Sequence, residues 1–126
     1  MIDITKKEEE IMQIFWKIKR GVVRDVIKEM EEPHPPYNTV SSMVRGLETK
    51  GYLNHKAYGK THEYFPIVSK NNYRIHSLKK LITNYFDNSH KELVSFLLEK
   101  EDITDKERQE IETLIQNSKK ENGSAH

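Results

Sequence analysis

Three times in the first fifty residues, apolar side chains recur at i, i+3, i+4 and i+7, and then the period changes. No other feature constrains the fold as tightly. Ile11, Ile14, Phe15 and Ile18 make the first stripe, Val23, Val26, Ile27 and Met30 the second, and Val40, Met43, Val44 and Leu47 the third. Each stripe is the buried face of a short amphipathic helix. Thr5 followed by Glu8 is a capping box, so the first helix is expected to start at Lys6. Gly21 interrupts the pattern, and Glu31-Glu32-Pro33-His34-Pro35-Pro36 ends the second helix, because proline lacks the N–H donor and restricts its predecessor. The third runs from about Asn38 to Lys50, with Gly51 at the C′ position. Next come two short aromatic and β-branched runs, Tyr52 to Ala57 and Thr61 to Val68. Between them Tyr58-Gly59 is the tight-turn candidate, so the two read as antiparallel strands.

From Lys70 the helical period returns. Leu78, Leu81, Ile82, Tyr85 and Phe86 form one stripe, and Asp87-Asn88-Ser89 supplies a break and a cap. Leu93, Phe96 and Leu97 follow, and a second capping box, Thr104 with Glu107, leads into Ile111, Leu114 and Ile115. The expected division is a unit of three helices and a hairpin over 1–68, a helical region over 69–118 and a flexible tail over 119–126.

The 126 residues suffice for one domain, or one small domain with an appendage. Hydrophobic residues make up 35% and charged residues 33%, a lean supply of core that implies helices with wide solvated faces. Small cores of this kind gain burial by self-association. The absence of cysteine excludes disulfides, thiolate metal sites and cysteine nucleophiles. The opening Met1-Ile2-Asp3-Ile4-Thr5-Lys6-Lys7 has no apolar run of the signal-peptide kind, and no run approaches the ~20 residues of a membrane span. A cytoplasmic protein is expected. Net charge is +1, but it is unevenly distributed: −1 over residues 1–33, +6 over 34–86 and −4 over 87–126. A basic middle suits a polyanionic partner.

Helix, helix, helix, hairpin within 68 residues is the order of a winged helix-turn-helix. The expected fold class is therefore mostly α with a small β-hairpin wing, followed by a C-terminal helical dimerisation region. The third helix turns its apolar stripe to the first two and presents Asn38, Thr39, Ser41, Ser42 and Arg45 on its other face. A major groove admits a helix, and such side chains reach base edges or phosphates. An ordinary solvated face would carry Glu and Lys, yet no acidic residue occurs between Tyr37 and Leu47. The hairpin tip is basic and aromatic, and as a wing its lysines would lie along phosphates. With Lys50, Lys56 and Lys60 added, the candidate DNA-binding set has eight members.

The string from Tyr37 to Leu53, YNTVSSMVRGLETKGYL, together with Tyr58-Gly59-Lys60 and Tyr64-Phe65-Pro66, resembles the penicillinase-repressor family. The opening Thr5 to Met12, Trp16, Leu93-Val94 and Glu99-Lys100-Glu101-Asp102 fit the same pattern, so the resemblance spans roughly residues 4–117. It implies a homodimeric winged-helix repressor of β-lactamase or methicillin-resistance type on a palindromic operator. It also implies relief of repression through a membrane-bound sensor protease of β-lactams. The family's cleaved Asn-Phe bond corresponds here to Phe96-Leu97, and both residues differ. The family often has arginine directly before the leucine of the third helix, where this chain has Gly46, with Arg45 one residue earlier. One residue turns a side chain ~100° around a helix, so the operator does not carry over. Copper-responsive relatives bear a C-terminal cysteine motif that this chain lacks.

The C-terminal stripes suit either an intramolecular bundle or a dimer interface. The small burial they offer alone favours the dimer, through Leu81, Tyr85, Leu93, Phe96, Leu97, Ile111, Leu114 and Ile115. Two-fold operators also need two reading helices one DNA turn (~34 Å) apart. Six histidines, at 34, 55, 62, 76, 90 and 126, show no His-x-x-x-His spacing. His55 and His62 would face each other across the hairpin, without a carboxylate in register, so no metal site is expected. No glycine-rich phosphate loop, Ser-x-x-Lys or Gly-x-Ser-x-Gly pattern occurs, so neither an enzyme nor a cofactor is expected. Trp16 reads as core or junction packing. The rival to a DNA-binding repressor is a winged-helix protein-interaction module that does not read DNA.

Overall fold

The computed structural model describes residues 1–99 and 103–124, and side chains as far as residue 117. Lys100, Glu101 and Asp102, part of the family-like string, fall outside the described residues, as do residues 125–126 of the expected tail. The elements are α1 (Lys6–Ile18), α2 (Val23–Lys28), α3 (Tyr37–Thr49), β1 (Leu53–Tyr58), β2 (Thr61–Pro66), α4 (Lys70–Tyr85), α5 (His90–Glu99) and α6 (Asp105–Ser124). The chain divides into two compact units, the first over residues 1–77 and the second from Leu78 onwards. No helix among the described residues is long and apolar enough to cross a membrane.

In the first unit the capping box sets the start of α1. Thr5 Oγ1 accepts from the Glu8 N–H at 3.1 Å, and Glu8 Oε1 accepts from the Thr5 N–H at 2.9 Å. The three stripes converge as their spacing predicts. Ile11, Met12 and Phe15 from α1, Val23 and Val26 from α2, and Val40, Val44 and Leu47 from α3 are buried together with Tyr52, Leu53 and Tyr64. Truncating a large member of such a core, Leu47→Ala for example, costs roughly 2–5 kcal/mol. Trp16 packs as expected: its Nε1 donates to the Val68 carbonyl at 2.9 Å and its ring lies 5.4 Å from that of Tyr73.

Two local expectations need correction. The helix-ending residue before α2 is Lys19, at φ 74°, rather than Gly21. Gly21 is needed for a different reason. It forms an isolated antiparallel bridge to Tyr64, at 2.8 and 3.0 Å, and a Cβ there would stand 2.9 Å from Ile18 Cδ1 and 3.1 Å from Asp25. The hairpin turn also falls one residue later than expected. Tyr58 pairs with Thr61, which leaves Gly59-Lys60 as the two-residue loop. Gly59 takes φ 62° at the first loop position, the conformation a type II′ turn reserves for glycine.

In the second unit, Ser89 Oγ caps α5 by accepting from the Glu92 N–H, and Thr104 Oγ1 caps α6 by accepting from the Glu107 N–H, both at 3.1 Å. Phe86 and Phe96 meet edge to face at 5.4 Å, and Arg108 Nη2 donates to the Leu98 carbonyl at 2.6 Å. A cavity of about 580 Å³ lies between α4 and α5, walled by Leu81, Tyr85, Phe86 and Phe96. The second unit buries little: Ile82 is its one buried large apolar side chain among the described residues.

Candidate nucleic-acid interface

The candidate surface starts with the burial of α3. Because Val40, Val44 and Leu47 turn inward, the helical period turns Asn38, Thr39, Ser42 and Arg45 outward, and all four are exposed. Ser41 is half-buried at the edge of this face. The hairpin stands beside it. In the β1–β2 register His55 lies opposite Tyr64 and His62 opposite Ala57, so these residues share one sheet face. Lys56 and Tyr58 occupy the other face, where the Lys56 ammonium lies 5.5 Å from the centre of the Tyr58 ring.

Between the start of α2, α3 and the hairpin lies a cavity of about 430 Å³. Its wall includes Ser41 and Arg45 from α3, Lys60 and Thr61 from the hairpin tip, and three residues that the pattern of the sequence did not single out for this surface: Arg24, Tyr37 and Tyr64. His62, which the hairpin pairing was expected to set facing His55, also lines it. The Arg24 guanidinium lies 5.2 Å from the centre of the Tyr37 ring. Arg24 follows Val23 on the solvated side of α2, and nothing in that position signals proximity to α3, because folding supplies it.

The wing is tied to its supports by two carboxylates. Glu63 lies 3.5 Å from Arg20, and Glu48 Oε2 lies 2.5 Å from His55 Nδ1. The rings of His55 and His62 stack at 4.1 Å with only 8° between their planes. The two imidazoles face each other as expected, but a carboxylate is present after all, delivered by α3 rather than by the hairpin register. Burial, with Glu48 nearby, pushes the Tyr64 phenol up, so it stays protonated at neutral pH. Among the described residues no three His, Asp or Glu side chains are grouped to hold a metal ion.

Lys50 is not brought to this surface. Its ammonium lies 2.7 Å from Glu8 Oε1, at the start of α1. Burial raises the Glu8 carboxyl, but the Lys50 ammonium and the Thr5 amide outweigh it and hold that carboxyl below the usual carboxylate range. Lys56 and Lys60 are exposed. In the second unit, Leu81, Tyr85, Phe96, Leu97, Leu114 and Ile115 are exposed apolar side chains, while Leu93 and Ile111 are half-buried. Phe96 and Leu97 both lie within α5.

Comparison with known proteins gives this geometry relatives. The chain is 25% identical to the methicillin resistance regulatory protein MecI of Staphylococcus aureus, covering 90% of this chain and 93% of that protein. It is also 25% identical to the penicillinase repressor of Bacillus licheniformis, covering 92% and 91% respectively. The solution structure of the DNA binding domain of the repressor BlaI superposes with a TM-score of 0.50 at 30% identity, over 56% of this chain and 88% of that domain. A complex structure of hsRosR-S4 superposes with a TM-score of 0.55 over 92% of this chain and 90% of that one. At 14% identity that likeness is one of fold alone. The fold is a winged helix-turn-helix followed by further helices, residues 4–117 match the penicillinase repressor pattern, and the chain belongs to that family.

Proposed function

We propose that this protein is a sequence-specific DNA-binding transcriptional repressor that acts as a homodimer on a two-fold operator. The observation that carries the reading is a surface without acid. The exposed face of α3 bears hydrogen-bonding groups and a guanidinium, and the adjoining cavity is lined by Arg24, Arg45 and Lys60 with no carboxylate on its wall. The one acidic residue of α3, Glu48, is engaged by His55. The names of the relatives, a penicillinase repressor and a methicillin resistance regulatory protein, support the same reading.

In this reading Asn38, Thr39, Ser42 and Arg45 enter the major groove, and Lys56 and Lys60 lie along flanking phosphates. The exposed apolar side chains of α4, α5 and α6 cover one another across the dimer. The protein works in the cytoplasm without enzymatic activity. Repression ends when a membrane-bound sensor protease system leads to cleavage at Phe96-Leu97.

A mobility-shift series at two salt concentrations tests the central claim. Duplex binding that weakens steeply with salt is expected, because phosphate contacts release counterions. Absence of binding to pooled genomic fragments at low salt would instead make the chain a protein-interaction module.

A further inference from the structure

The cavity between α2, α3 and the hairpin holds more than positive charge. Arg24, Arg45 and Lys60 line it from three separate elements, and the hydroxyl-bearing Ser41 and Thr61 share its wall. Its volume of about 430 Å³ has room for a phosphate and its hydration. It lies beside the exposed face of α3, where a groove-bound helix brings the sugar-phosphate backbone close. His62 also lines the cavity, and His62 is coupled. It stacks on His55 at 4.1 Å, and His55 in turn contacts Glu48 at 2.5 Å.

That coupling has a consequence for charge. Histidine is the side chain whose ordinary titration falls between about pH 5 and 8. Two imidazolium rings stacked face to face would repel each other, and Glu48 lies against His55 rather than His62. A charge on His62 would also meet Arg45, Lys60 and Arg24 around the cavity, whose wall carries no carboxylate to offer a countercharge. Only an anion in the cavity reverses this balance. We propose that the cavity seats one backbone phosphate of the bound duplex, and that seating it draws a proton onto His62, so that affinity for DNA rises as the pH falls.

The inference rests on the DNA-binding reading, and one experiment separates the two. The full chain is titrated by fluorescence anisotropy against a duplex selected from random sequence by the protein itself, at constant salt, from pH 8 to pH 6. With one proton taken up, log affinity is expected to rise with falling pH at a slope approaching one, at most about tenfold per pH unit. His62→Gln keeps a donor but cannot charge, and is expected to flatten that slope. His90→Gln, in the second unit, is expected to leave it unchanged. A selected duplex that binds equally at pH 8 and pH 6 overturns the proton-linked phosphate seat while leaving the DNA-binding reading intact. So does a His62→Gln slope equal to that of wild type. Failure to select or bind any duplex across the range overturns both. The imidazole proton resonances of His62 give a second readout: its titration is expected to move to higher pH when the duplex is added, and an unmoved titration counts against the proposal.

Discussion

Arg45 extends from the exposed face of α3 and also lines the cavity under the wing, so it stands where the proposed base and phosphate contacts would meet. Arg45→Ala is expected to weaken operator binding by about 1–3 kcal/mol while leaving thermal unfolding unchanged, since the residue is exposed. Thr39→Ala is expected to do similar damage. Wild-type binding by both variants would remove α3 from the role of reading helix. Lys60 differs in kind. It sits in the hairpin turn, where an ammonium meets phosphate as a point charge. Lys60→Ala is expected to weaken binding to all sequences about equally and to flatten the dependence of log affinity on log salt by about one unit. A changed sequence preference with an unchanged salt slope would contradict the phosphate role.

At the scale of elements, the Glu8–Lys50 pair joins the first turn of α1 to the C-terminal end of α3. The Glu8 side chain is 8% exposed and that of Lys50 32%, so removing the ammonium strands a nearly buried carboxylate. Lys50→Met is expected to cost about 1–2 kcal/mol at neutral pH, below the range for a fully buried pair because Lys50 stays partly solvated. The folded-state value of Glu8 is depressed, so the pair's contribution is present above the ordinary carboxylate range and is lost as the pH falls from there through the lowered folded-state value. Urea denaturation of both proteins is expected to show a gap at pH 7 that closes in acid. A gap that persists there would place the effect in packing rather than charge. Lys50 also shows where sequence reading stops. Its basic character and position at the end of α3 look like a phosphate contact, but its partner lies 42 residues away and is revealed only by folding. The stripes of α1, α2 and α3 were legible because burial imposes the helical period on the residues themselves. The Thr5–Glu8 cap was legible because both partners lie within one turn. The Gly21–Tyr64 bridge, the Arg24–Tyr37 contact and the approach of Glu48 to His55 each join separate elements and leave no periodic trace.

At the scale of the whole molecule, the two units divide the work proposed for them. The first has a closed core, whereas the second leaves Tyr85 78% and Leu114 68% exposed. Such side chains in a helical region with, among the described residues, a single buried large apolar side chain call for a partner surface. Leu97→Asp or Leu114→Asp places a charge in the proposed interface, a change that costs several kcal/mol once the site is covered. Sedimentation is expected to show monomers, and operator affinity to collapse while the helices of the first unit remain folded. Wild-type protein that sediments as a monomer at micromolar concentration would refute the dimer. The same interface is where repression is proposed to end. The Phe96-Leu97 bond lies inside α5, so a protease reaches it only when that helix opens locally. In the single chain no α5 side chain among the described residues is fully buried, so the proposed partner surface is what holds this helix closed. A cut there separates Ile111, Leu114 and Ile115 from the DNA-binding half. Two linked half-sites then become two independent ones, and affinity falls by the lost effective concentration, on the order of 10²–10⁴-fold. Mass spectrometry of the protein from cells exposed to a β-lactam is expected to find a fragment ending at Phe96. An intact chain throughout induction would mean that the signal reaches the protein by another route.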